Sequence, residues 1–104
     1  MYDIEILEAA GFELSDVVEY YNSVQTNLGY EFLDEFKRSV QRIIMFPHAW
    51  PVFSRRLRRC QTNRFPYGVV YHKQKERLLI VSVMNLHAEP RRWKRILERR
   101  LRDR

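Results

Sequence analysis

The apolar residues of this 104-residue chain change period once, at Pro47, and that switch limits the possible folds most. Before it the spacing is helical. Phe32, Phe36, Val40, Ile43 and Ile44 fall on one stripe of a helix expected over Tyr30 to Phe46, and Pro47 stops it. Asp34 and Arg38, four residues apart on the wet side, suit an ion pair. Upstream, Ala10, Leu14, Val17, Val18 and Tyr21 form a second helical stripe, with Glu13, Asp16 and Glu19 expected on its polar side. Asn22 to Gly29 lacks this pattern and reads as the turn between helices. Ahead of both, Tyr2, Ile4 and Ile6 alternate with Asp3 and Glu5, the period of a half-buried strand.

After Pro47 the pattern belongs to a sheet. His48 to Ser54, holding Trp50 and Pro51, reads as an irregular connection. Three strands are then expected, over Arg55 to Gln61, Tyr67 to Lys73 and Arg77 to Met84. Lys73 to Glu76 has the length of a hairpin loop. The nearly continuous apolar run of the last strand implies a central position covered on both faces. Pro90 then opens a helix whose buried stripe is Trp93, Ile96, Leu97 and Leu101. The order β-α-α-β-β-β-α is an α+β fold, with an N-terminal helical hairpin packed on a small, mainly antiparallel sheet. Its length suits a single domain over residues 1–104.

Charge divides the chain a second way. Residues 1 to 36 carry nine acids and no lysine or arginine; residues 37 to 104 carry all 19 cations and four acids. Fifteen of those cations are arginine, whose flat fork matches phosphate and carboxylate. Two readings follow: the halves neutralise each other, or the basic half meets a polyanion. The N-terminus is acidic, unlike a secretory leader, and no apolar run is long enough to span a membrane. The lone Cys60 can form no internal disulfide and is expected as a small buried residue, with a reducing, cytoplasmic setting as the default. Three scattered glycines exclude a glycine-rich phosphate loop.

Few residue sets suggest bond-breaking chemistry. His48, His72 and His87 lack metal-ligand spacing, so no metal and no cofactor is expected. Trp50 and Trp93 are expected to fill core gaps. Alternation along Arg55 to Arg59 puts Arg56 and Arg58 on one strand face and Arg55 and Arg59 on the other. With Arg91, Arg92 and Arg95 at the entry of the last helix, Arg56 and Arg58 are the candidate target- or phosphate-binding residues. A metal-free ribonuclease would use Arg59 and Arg64 for phosphate charge, with His87 and Glu89 as acid and base.

Several segments, taken in order, resemble the RelE/ParE superfamily of toxins from bacterial and archaeal type II toxin–antitoxin modules. They are VVEYY (17–21), GYEFLDEFKRSVQRI (29–43), FPHAWP (46–51), RRLRRC (55–60), RFPYGVVY (64–71) and LLIVSVMNLHAEPRRW (78–93). The resemblance implies a β-α-α-β-β-β core and a cognate antitoxin whose acidic, flexible C-terminal segment wraps the hairpin and sheet in a hetero-oligomer. It leaves the target divided. RelE-like members cut ribosome-bound messenger RNA without metal, and ParE-like members poison DNA gyrase. Gly68 and Ala88 stand where the RelE-like branch carries arginines, and Arg92 stands near its C-terminal aromatic hydroxyl. Asn85 and Ala88 replace the histidine and arginine of the HxxRxP run of many ParE-like members, with His87 beside them. The long hairpin and the RFPY strand are more ParE-like, which implies growth inhibition by binding gyrase. A RelE-type endoribonuclease, or an inactive relative that binds only nucleic acid or antitoxin, are the alternatives.

Overall fold

The computed structural model describes residues 2–104. Strand β1 (Asp3–Ile6) leads into helices α1 (Glu8–Val24) and α2 (Leu28–Met45). Strands β2 (Val52–Ser54), β3 (Leu57–Gln61), β4 (Tyr67–Lys73) and β5 (Arg77–Asn85) follow, and helix α3 (Pro90–Arg102) comes last. The sheet runs β1-β5-β4-β3-β2, antiparallel throughout except for the parallel β1–β5 pair. The expected order of elements is present, with one addition. Within the connection after Pro47, Val52 and Phe53 form a short edge strand, and Phe53 buries its ring. Arg55 and Arg56 make the turn out of that strand, so β3 starts two residues later than expected.

The turn between α1 and α2 is also shorter than the sequence pattern implies, only Gln25 to Asn27. Asn27 takes a left-handed φ of 68°, which asparagine tolerates better than most residues. So tight a turn presses the helices together at Gly29. A Cβ there would lie 2.0 Å from the Val18 carbonyl oxygen, and the Gly29 N–H donates to Asn22 Oδ1 at 2.7 Å. Hydrogen bonding and close approach, rather than an apolar stripe, carry both helices into the segment that had read as loop.

Each face of the sheet has its own core. On one face α1 and α2 cover Cys60, Val69, Tyr71, Leu78, Ile80 and Val83. Phe32 meets Phe65 at 5.1 Å and Tyr67 at 5.4 Å between ring centroids, and Tyr21 meets Phe65 at 5.0 Å, distances typical of edge-on aromatic contacts. On the other face Leu97 and Leu101 of α3 close over Leu57, Val70, Leu79, Val81 and Met84. Strand β5 is thus covered on both sides. Burying each large apolar side chain contributes about 1.5–3 kcal/mol. Two expectations fail at the margins. Ile4 and Ile6 stay 39% and 43% exposed because β1 is an edge strand. Ile96 is 36% exposed, lying aside from the Trp93–Leu97–Leu101 row that faces the sheet.

Strand β5 contains a bulge that sets up the opposite edge. Val70 pairs with Ser82 and Tyr71 with Ile80, which leaves Val81 as the extra residue. Side-chain parity flips there: Ile80 and Val83 face the hairpin, while Val81 and Met84 face α3. The Val83 N–H and Val81 carbonyl lie past the last β1 pairing, and side chains satisfy them. Glu13 Oε1 accepts from Val83 N at 3.1 Å and Ser82 Oγ at 2.9 Å. Arg100 donates to Val81 O at 2.8 Å and to Glu13 Oε1 at 3.0 Å. Glu13 therefore turns toward the sheet instead of joining the polar side of α1.

Candidate functional site

The two charge domains of the sequence fold against each other. Glu5 pairs with Arg77, Glu13 with Arg100, Glu31 with Arg64 and Glu35 with Arg42, each an acid of the first 36 residues with a cation of the remainder. Two further pairs, Arg56–Glu98 and Arg102–Asp103, lie within the basic part. Among the described residues six of the 19 cations are therefore in ion pairs, so neutralisation is partial. Asp34 and Arg38 form no ion pair there; Glu35 takes the structural role instead.

Glu35 sits one turn apart from Phe32 and Ser39 on the buried side of α2 and is only 6% exposed. Its Oε2 accepts from Arg42 at 2.6 Å, from the Asn63 N–H at 2.7 Å and from Ser39 Oγ at 3.3 Å. Burial pushes its pKa up, but the Asn63 N–H, Arg42 and Ser39 together outweigh that and hold it below the ordinary carboxylate value. The carboxylate thus ties the β3–β4 loop to α2. Burial also pushes the Cys60 thiol up, against the nearby Arg42 guanidinium, so it stays a protonated core residue. Tyr71 is pushed up to about 12 by burial, with Arg58 pulling the other way, and its hydroxyl donates to Pro47 O at 2.6 Å.

The candidate catalytic residues do not form one cluster. Arg59 points to the α3 side, with its guanidinium 5.1 Å from the Phe53 ring centre. Arg64 is on the hairpin side, bonded to Glu31 and lying over Phe65. Glu89 is occupied as the α3 cap, its carboxylate accepting from the Arg91 N–H at 3.0 Å. His87 is exposed in the β5–α3 loop, where its N–H donates to Asn85 Oδ1. Gly68 has a steric reason for lacking a side chain. A Cβ there would lie 2.7 Å from Cγ and Cδ of Arg59, which crosses over it from the neighbouring strand.

The expected grouping of binding arginines also changes. Because Arg55 and Arg56 form a turn, strand alternation begins only at Leu57, so it is the turn rather than a shared strand face that brings Arg56 and Arg58 to one recess. Arg56 reaches α3, where its backbone N–H and Nε each bond Glu98 at 3.1 Å. Burial raises the Glu98 pKa less than the Arg56 N–H, Ser54 and the Arg56 guanidinium lower it, so it is held below its ordinary value. Arg58 instead donates to Trp50 O at 2.7 Å. Arg91, Arg92 and Arg95 are exposed on α3.

Two kinds of recess result. Between α1 and α2 a mainly apolar groove of about 400 Å³ is lined by Leu14, Val18, Tyr30 and Leu33, together with Ser15, Glu19 and Asn22. Near the β2–β3 turn the recesses are cationic, lined by Arg55, Arg56, Arg58 and Lys73. Among the described residues no group of three potential metal-binding side chains is present, and no helix is long and apolar enough to cross a membrane. The sequence could have flagged Glu13 and Glu35, since both interrupt apolar rows at helical spacing. Nothing local in it links Arg56 to Glu98.

This architecture sets a helical hairpin and a single C-terminal helix on opposite faces of a five-stranded sheet. A solved structure described as "Chromosomal ParDE TA system from P. aeruginosa" contains a chain that superposes with a TM-score of 0.71. The alignment covers 82% of this chain and 96% of that one at 11% sequence identity, so the two share the fold. No family model matches the sequence, and no curated protein does.

Proposed function

We propose that the protein is the toxin of a type II toxin–antitoxin module, ParE-like in branch, which binds an essential target and is silenced by a cognate antitoxin. The observation that carries this reading is the fold shared with a chain of a ParDE system over most of both chains. The apolar α1–α2 groove suits an ordering antitoxin segment that needs apolar anchors, and the unpaired arginines suit its acidic residues. Action by binding rather than cleavage is supported by the separation of Arg59 from Arg64 and the capping role of Glu89. DNA gyrase is the target that the ParE-like reading names.

The test is tightly induced expression in a bacterial host, scoring viable counts with and without the neighbouring reading frame. Growth arrest relieved by the neighbour, with DNA breaks and intact messages, is the expected result. Arrest with cut messages and intact DNA would replace gyrase poisoning with the ribonuclease reading. Normal growth at verified soluble expression would overturn toxin action.

A further inference from the structure

Two adjoining recesses open where the β2–β3 turn, the end of β4 and the end of α3 meet. The first, about 280 Å³, presents Arg55, Arg56, Arg58 and Lys73. The second, about 430 Å³, shares Arg56 and His72 with the first and adds Arg102 and Arg104. Six arginine and lysine side chains thus line the groove that these two recesses make up, and among the described residues no side-chain carboxylate lines it. Glu98 and Asp103 reach it only indirectly, each through one pair, with Arg56 and Arg102. Arg55 and Arg104 are exposed, with no ion pair or side-chain hydrogen bond among the described residues. Gathering like charges destabilises the folded state through repulsion, and a bound polyanion would relieve it.

The apolar part of the lining decides which polyanion fits. Leu57, Tyr71 and Leu101 are at most 4% exposed, so Val52 is the one exposed apolar side chain among the charged and polar residues that line the groove. An acidic peptide that orders on binding needs apolar anchors to offset its lost entropy. Those lie in the separate hairpin groove. A nucleic-acid backbone needs none, and its repeating phosphates match a row of guanidinium forks. We propose that this groove binds the phosphodiester backbone of a nucleic acid without reading its bases. The proposal does not depend on the toxin reading.

Fluorescence anisotropy on the purified full chain tests it, with labelled mixed-sequence single-stranded RNA, duplex DNA and a polyglutamate peptide as probes. The double variant Arg55→Glu, Arg104→Glu is compared with Lys37→Glu, Arg38→Glu, an equal charge change on the exposed side of α2. The expected result is binding to a nucleic-acid probe that weakens at least about tenfold in the groove variant and less than about threefold in the control. The slope of log affinity against log salt should become shallower by about 1.5 in the groove variant. The tighter of the RNA and DNA probes identifies the source of the backbone. Equal losses in both variants, no nucleic-acid binding at low salt, or tighter binding of polyglutamate would each overturn the proposal.

Discussion

The two faces of the sheet are closed by different means. The hairpin face is sealed by two long helices, a four-ring aromatic cluster and the Glu35 carboxylate that binds helix, loop and Arg42 together. The other face is covered by α3, which buries only Leu97 and Leu101 fully and leaves Arg91, Arg92, Lys94, Arg95, Arg99 and Arg102 in solvent. One cover is chiefly a core element; the other is a carrier of charge held by a narrow apolar keel. The difference teaches that the basic half of the sequence is not basic throughout its fold. Strands β4 and β5 are apolar through their middles, and the charge is concentrated in β3, at turns and strand ends, and on the helices α2 and α3.

Substitutions can break that contrast or sharpen it. The largest effect is expected at Phe32→Ala, which empties the aromatic cluster and should lower unfolding free energy by about 3 to 5 kcal/mol in denaturant titration. A loss under about 1 kcal/mol would remove the hairpin face from its leading role. Leu97→Ala should cost about 2 to 3 kcal/mol. If it equals or exceeds Phe32→Ala, α3 is as much a core element as the hairpin. Glu35→Ala should cost about 2 kcal/mol by leaving the Asn63 N–H and Arg42 without their acceptor.

The same residue predicts an acid response. Its folded pKa lies below the ordinary value of 4.5, so its stabilisation is present above that value and is lost as pH falls through the folded pKa. Glu35→Gln should therefore be less stable near neutrality and show a flatter decline between neutral and acidic pH in thermal melts. An unchanged acid limb would show that another carboxylate dominates. The smallest effect is expected at Arg92→Ala, within about 0.5 kcal/mol of the parent, because the side chain is exposed and in no ion pair among the described residues. A larger change in melting temperature would mean that α3 depends on its charge to fold.

The element order was readable because it rests on periodicity. The α2 stripe, the Pro47 stop and the Pro90 start are local signals, and each marks an element boundary to within a residue or two. What escaped local reading arises where distant segments meet. The extra residue Val81 in β5 is visible only once the register with β4 is known, and it is this bulge that draws Glu13 and Arg100 to one edge. Arg55 to Arg59 looked like one alternating strand because nothing in the run RRLRR marks a turn, yet the turn decides that Arg56 faces Glu98. The cationic groove was half legible. Its turn arginines stood out, but Lys73, Arg102 and Arg104 join them only through tertiary structure.

The parallel β1–β5 pair also has a consequence for how the molecule assembles. Asp3 aligns with Arg77 and Ile6 with Ile80, so the first strand finds its partner only after most of the chain exists. The helical hairpin and the β3–β4–β5 meander use nearby contacts, whereas docking β1 closes a very long loop, the slow and non-local kind of step. During synthesis the amino terminus must therefore wait, and chains interrupted before Arg77 lack the strand on which β1 docks.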